Sequence, residues 1–189
     1  MAMIFGDKIL TPRLKLRRIV ESDLPLIVAW SQSDTAHGKY LTPDRLDERT
    51  GREQLASGAF WNEENRVFLI ELRDERPIGT LHYWLRSERK DCAVMALKIS
   101  EQEVRNQGYG TEAQKYAIIQ LFTRMKLQRV EMYTDINNRA QQRCLYKLGF
   151  ELIDSLHYDD RRVQRLGHLY RIDAKTFSNT PIYQYHYEK

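Results

Sequence analysis

The segment from Ala93 to Phe122 constrains the fold more than any other stretch of the chain. It begins with an apolar run, Ala93–Ile99, that predicts a strand. A charged loop follows, Ser100 to Gln107, and then two glycines, Gly108 and Gly110, at the mouth of a long amphipathic helix. The helix is predicted from Ala113, Tyr116, Ala117, Ile119, Leu121 and Phe122, which recur at helical spacing. Glycines one residue apart permit positive φ and clear side chains from the approaching face. Successive amides can then point into one concave nest, to which the helix adds its positive N-terminal end. A pyrophosphate suits such a nest, and Arg105 is expected to add a fixed positive charge at its rim.

Gly108 to Ala113 also satisfies G-x-G-x-x-A, the dinucleotide fingerprint, and Glu131 lies near the spacing of its ribose-binding acid. That fingerprint needs its glycines directly after the first strand of a βαβ unit. Here a charged loop intervenes and the segment sits mid-chain, so a nicotinamide-cofactor fold is set aside.

The rest of the chain supplies a mixed layout. Leu14 to Ile19 alternates apolar and basic residues, as a half-buried strand does. Ser22 and Asp23 offer N-cap chemistry before a helical face from Leu24 to Trp30. Asp34 to Pro43 is turn-rich, and Leu46 to Phe60 predicts a second helix. Val67–Leu72 and Ile78–Leu85 predict a hairpin. Arg129–Tyr133 is a strand, and Ala140–Leu148 a short helix stopped by Gly149. Phe150–Ile153 and Leu166–Ile172 complete seven strands. The expected fold is α/β (α+β), with a mixed, mainly antiparallel sheet.

At 189 residues, with 42% hydrophobic and 30% charged, the chain suits one globular domain. The expected domain is 1–189, with a core of about 10–173 and a tail over 176–189. The net charge of +4 is modest and suits a small polyanion as well as a solvated surface. Arg161, Arg162 and Arg165 cluster without an aromatic ladder, which argues against nucleic acid. Cys92 and Cys144 make neither a disulfide framework nor a metal set. No apolar run approaches the ~20 residues of a membrane span. Met1 to Leu10 lacks a signal-peptide pattern, so a cytoplasmic location is expected.

Arg105-x-x-Gly108-x-Gly110 resembles the (Q/R)-x-x-G-x-(G/A) loop of the GNAT superfamily of N-acetyltransferases. Leu10-Thr11-Pro12-Arg13-Leu14-Lys15-Leu16-Arg17 resembles the opening strand of its ribosomal-protein N-terminal acetyltransferase-like branch. Pro77-Ile78-Gly79-Thr80 is similar to that branch's hairpin. Asn138 through Leu145-Tyr146-Lys147-Leu148-Gly149-Phe150 is similar to its closing N-x-x-S…K-L-G-F signature.

The resemblance implies acetyl-CoA as cosubstrate, a primary amine as acceptor and helices on both sheet faces. It implies a sheet splayed between the fourth and fifth strands, where the thioester enters. Backbone groups of Leu97, Lys98 and Ile99 would pair with the pantetheine arm. Arg105, Asn106, Gln107, Gly108, Tyr109 and Gly110, with Thr111 at the helix start, would hold the pyrophosphate. Asn138 and Lys147 would stand by the far side of the cosubstrate.

The sequence also departs from the family. Counted back from Gly149, the usual Ser or Ala falls on Gln141 and the usual tyrosine on Leu145, with Tyr146 one place on. A shift of one residue turns a helical side chain by ~100°. If Asn137 is instead the motif asparagine, one residue has been inserted. Val94 stands where many relatives carry a carboxylate. Candidates for moving protons are therefore Tyr146, His82, Asp135 and Glu131, each with an ordinary structural alternative.

The acceptor is expected to be a small cationic amine, because Asp34, Asp44, Asp47 and Glu48 lie in the segment that usually covers it. A protein N-terminus or lysine, or a non-catalytic acyl-CoA-binding module, are the alternatives. In the tail, an extended chain would put Tyr183, Tyr185 and Tyr187 on one face. Docking on a sheet edge or in a homodimer is expected of them.

Overall fold

The computed structural model describes residues 7–184. Its chain forms two compact units, one from Met1–Trp84 with Leu97–Gln114, the other from Leu85–Ala96 with Lys115–Lys189. Two strands and the long helix pass from one unit into the other.

The first unit contains β1 (Lys8–Leu10), β2 (Leu14–Arg18), α1 (Leu24–Ser31), α2 (Asp34–His37), α3 (Glu48–Ala56) and β3 (Asn65–Leu72). It also holds β4 (Pro77–Arg86) as far as Trp84, the end of β5 (Arg89–Ile99) and the start of α4 (Tyr109–Thr123). Strands β1 to β4 lie side by side in sequence order, each pair antiparallel. The alternation in β2 explains its place. Leu14 and Leu16 are fully buried, while Lys15 and Arg17 reach the buried Glu71 at 3.1 and 3.2 Å. A cluster of Ile19, Ile27, Trp30, Ala36, Leu46 and Leu69 fills this unit's interior.

The second unit contains β5 up to Ala96, the rest of α4, β6 (Arg129–Asp135), α5 (Arg139–Lys147), β7 (Glu151–Asp160), β8 (Val163–Asp173) and α6 (Ala174–Asn179). Its strand order is β5-β6-β8-β7. β5 and β6 are parallel and pair only at Cys92–Arg129, Ala93–Val130 and Val94–Glu131. β6 and β8 are antiparallel over seven pairs, from Arg129–Asp173 to Asp135–Gly167.

The mixed α/β layout agrees with expectation, and several boundaries differ for identifiable reasons. Among the described residues, eight strands stand where seven were expected. The addition, β1, arises because the chain turns back after Leu10, with the Thr11 amide donating to the Leu14 carbonyl at 3.0 Å. Asp23 does not cap α1 with its side chain; Arg17 holds both carboxylate oxygens, at 2.8 and 2.9 Å. The turn-rich segment after Asp34 contains the short helix α2, capped by Ser33. α3 starts later than expected because Asp47 accepts the Thr50 amide and fixes the N-terminus there. β7 and β8 extend far beyond their expected lengths. Their turn places Arg161 and Arg162 at φ of 52° and 68°, the positive-φ pair that tight hairpins favour, with no glycine or asparagine to announce it.

The tail is the clearest correction. Pro181–Tyr183 is a turn of 3₁₀ helix, so Tyr183 does not lie on an edge strand. The ring is 3% exposed and its hydroxyl donates to the Leu148 carbonyl at 2.6 Å. Phe177 of α6 sits between Phe122 and Tyr183, with centroids 4.7 Å away on each side. Tyr185 and Tyr187 lie outside the described residues.

Candidate functional site

The glycine loop and the start of α4 lie in the first unit together with the end of β5. Asn106 has φ of 62° and Gly108 of 83°, so two left-handed residues alternate with Gln107 between them. This bends successive amides toward one side. Among the described residues, the amides of Asn106, Gln107 and Gly108 donate to no carbonyl or side chain. Tyr109 and Gly110 begin α4, where amides have no intrahelical partner. Five consecutive donors therefore remain, in a loop whose residues 106–108 are exposed. Gly110 permits a close approach: a Cβ there would come within 2.9 Å of Leu97 Cδ2 and 3.7 Å of Ile99 Cγ1. Leu97 and Ile99 thus face the start of α4. The donor set fits a diphosphate, which asks for several converging N–H groups and a positive helix end.

Arg105 is placed differently from expectation. Its Nε donates to the Ile99 carbonyl at 2.8 Å, and Nη2 donates to Thr35 and Ala36 carbonyls at 2.6 and 3.2 Å. The guanidinium ties the loop to β5 and α2 instead of standing at the rim as a free charge.

The cation beside the loop is Arg13, from the β1–β2 turn. Its Nη1 donates to the Gln107 carbonyl at 3.0 Å, and its guanidinium lies 4.4 Å from the Tyr109 ring centroid. Its Nε donates to Glu112 Oε2 at 2.6 Å. The Arg13 amide and the Thr11 hydroxyl donate to Glu112 Oε1, at 2.8 and 2.7 Å. Burial would raise the Glu112 pKa, but the hydrogen bonds from Thr11 and Arg13 outweigh it and hold the carboxyl below its ordinary value. Sequence inspection passed over Arg13 and Glu112 as site residues. The available signal was an acid in the first turn of α4, directly after the glycines.

Other expected residues have defined places. Lys98 is half-buried, with Nζ 3.3 Å from His37 Nε2. His37 contacts the Ser33 carbonyl through Nδ1 at 3.0 Å and stands 3.4 Å from Asp44 Oδ1. Of the other acids near the expected acceptor segment, Asp47 caps α3, Asp34 pairs with Arg45 at 3.2 Å and Glu48 with Arg52 at 3.8 Å. His82, on β4, places Nε2 2.6 Å from Asn65 Oδ1.

Asp135, Asn138, Tyr146 and Lys147 belong to the second unit. Asp135 accepts the Asn137 amide at 2.9 Å and lies 3.7 Å from Arg165. Asn138 caps α5 by accepting the Gln141 amide at 3.2 Å. On α5, Leu145 is fully buried and Tyr146 is 81% exposed. Glu131 is 2% exposed and receives Arg86 at 2.5 Å, Arg171 at 2.7 Å and the Cys92 thiol at 3.3 Å. Burial would raise its pKa, yet those donors hold it below the usual carboxylate value. Burial, then the Glu131 charge, push the Cys92 thiol up to about 11.

Residues 13–151 match the family described as acetyltransferase (GNAT) domain. No curated protein matches the sequence. Among solved structures, a spermidine N-acetyltransferase chimera from Vibrio cholerae superposes with a TM-score of 0.75 at 16% identity, covering 88% of this chain and 98% of that one. A ribosomal-protein α-N-acetyltransferase in complex with coenzyme A gives 0.76 at 14% identity, over 90% and 99%. An aminoglycoside acetyltransferase with coenzyme A and kanamycin gives 0.72 at 18% identity, over 89% and 99%. At these identities the likeness establishes a shared fold.

Proposed function

The chain belongs to the GNAT acetyltransferase family, and from that premise we propose that it transfers an acetyl group from acetyl-CoA to a small cationic amine. The observation that carries the cosubstrate is the run of five unpartnered amides from Asn106 to Gly110 at the head of α4. Their number suits a diphosphate. Solved structures of the same fold, complexed with coenzyme A, support the assignment. The two units would then act as one acetyltransferase domain, as a family match running through both suggests.

Bound acetyl-CoA supplies an activated thioester. The amides of Asn106 to Gly110 hold its diphosphate, and the backbone of Leu97, Lys98 and Ile99 lines the pantetheine arm. Asn138 and Lys147 are assigned to the far side of the cosubstrate. The short β5–β6 register, which stops at Val94 and Glu131, supports a splay that admits the thioester. The new N–C bond forms as the C–S bond breaks. A base takes the amine proton, and the departing thiolate receives one from a hydroxyl or water. His82 and Asp135 are the proposed bases, and water is the proposed acid in place of Tyr146, which is 81% exposed. Much of the rate enhancement would come from holding both reactants in place.

The proposed cationic acceptor rests on the four acids of the covering segment together, Asp34, Asp44, Asp47 and Glu48, which lie in the unit that carries the loop. The relatives named for spermidine and kanamycin are in keeping with this choice.

Two measurements test the proposal. Calorimetry should detect coenzyme A binding to the wild-type chain. Gly108→Val, with φ of 83° and a Cβ 3.2 Å from Arg13 Nη2, should weaken it by at least about 100-fold while the fold persists. A thiol-release assay should then find turnover on polyamines or amino sugars before peptides. Undiminished binding in Gly108→Val removes the cosubstrate assignment, and turnover confined to peptides removes the acceptor assignment.

A further inference from the structure

We infer that Arg13 binds the diphosphate of acetyl-CoA, a role that rests on the cosubstrate assignment above. The guanidinium has three nitrogens and two are engaged: Nε with Glu112 at 2.6 Å and Nη1 with the Gln107 carbonyl at 3.0 Å. Nη2 has no hydrogen-bond acceptor among the described residues. It lies 3.2 Å from where a Gly108 Cβ would be, beside the loop. The side chain is 44% exposed, so this edge remains accessible. Arg105, the arginine at the start of the motif, is turned onto the carbonyls of Ile99, Thr35 and Ala36. Arg13 therefore provides the guanidinium N–H donor that the loop's own arginine does not.

The surrounding contacts prepare Arg13 for this work. Glu112 in the first turn of α4 would repel a bound diphosphate if it stood alone. Thr11, the Arg13 amide and Arg13 Nε occupy its two oxygens and offset its charge. By holding the Gln107 carbonyl, Arg13 keeps that oxygen engaged while the neighbouring amides stay available. Stacking on Tyr109 restrains the guanidinium plane. A planar fork fixed on two sides, with its third edge open, suits phosphate oxygens better than a mobile ammonium does.

The experiment measures calorimetric affinity of the full chain for coenzyme A and for 3′-dephospho-coenzyme A, with melting temperature as a control of folding. Arg13→Ala should weaken both ligands by the same factor, about 10- to 100-fold, the range of a lost charge-assisted contact. Arg13→Lys should recover part of the loss, and serves alone if the alanine variant does not fold. Glu112→Ala removes the carboxylate that holds Arg13 but leaves its charge, and should cost less than Arg13→Ala. Equal losses in the Arg13 and Glu112 variants would reduce Arg13 to a strut for Glu112 and overturn the inference. So would unchanged affinity in Arg13→Ala, or a loss seen with coenzyme A alone, which would put the residue on the 3′-phosphate. Failure of the wild-type chain to bind either ligand would overturn the cosubstrate assignment itself.

Discussion

Glu112 and Glu131 are both carboxylates gripped by arginine, and they sit in surroundings that give them opposite uses. Glu112 lies beside an exposed loop, and Arg13 reaches it from a turn with 44% of its side chain in water. Glu131 is 2% exposed, on the central strand β6, with Arg86 on one oxygen and Arg171 on the other. At the first, the arginine keeps a free edge, so the pair can serve a ligand. At the second, every strong donor is turned inward, and the cluster joins β8 and the Arg86 segment to β6. An ion pair of the same chemistry thus leaves part of a guanidinium open at a loop and encloses it inside a sheet. The difference lies in how much guanidinium is left over.

Removing Glu131 should break this comparison most forcefully. Glu131→Ala leaves two half-buried arginines without their shared carboxylate, and about 3–5 kcal/mol of stability should be lost. Urea unfolding checks this. Coenzyme A affinity, measured in the fraction that folds, should stay near wild type; a parallel loss would mean that the two clusters are not separable.

The docked tail offers a second structural control. Tyr183→Ala empties a buried aromatic site and should cost about 3 kcal/mol, whereas Tyr183→Phe loses one hydrogen bond, worth about 1 kcal/mol. Melting temperatures should rank wild type, Phe, Ala. Equal melting for all three would mean that the ring's burial contributes nothing.

Acid titration sharpens the contrast further. Both carboxyls are held below their unfolded values. Each therefore contributes stability at neutral pH that is lost as pH falls below roughly 4.3 and through the folded pKa. Glu131→Gln should flatten the acid limb of the stability curve more than Glu112→Gln, because Glu131 is the more enclosed. The two variants can be followed by denaturant midpoints between neutral and acidic pH. A larger flattening in Glu112→Gln would reverse the comparison.

The smallest effect is expected at Tyr146. With Leu145 buried and Tyr146 81% exposed, the helix turns the tyrosine outward. Tyr146→Phe should lower turnover by well under the ~10²–10⁴-fold of a positioned general acid. A loss in that range, with cosubstrate affinity intact, would make the hydroxyl a working proton donor.

Much of the first unit was legible because its signals are local. Alternation marked β2, the paired glycines marked the loop after β5, and apolar spacing marked the helix α4 behind it. The long hairpin of β7 and β8 was shortened in the sequence because Arg161 and Arg162 adopt positive φ without the residues that usually signal it. The tail misled through its tyrosines, whose alternate spacing suggests a strand. Tyr183 instead sits in a turn of 3₁₀ helix, with its hydroxyl on the distant Leu148 carbonyl and its ring against Phe177.

By itself the sequence determined the mixed α/β order, the glycine loop and the helix behind it, since backbone conformation and periodicity depend on neighbouring residues. Only the tertiary structure decided which charges serve that loop. Arg105, adjacent in sequence, is drawn onto four carbonyls, and Arg13, 94 positions from Gln107, takes the place beside the amides. The reason is geometric: a guanidinium has a fixed fork, and the oxygens that claim its N–H groups come from segments the chain brings together only on folding.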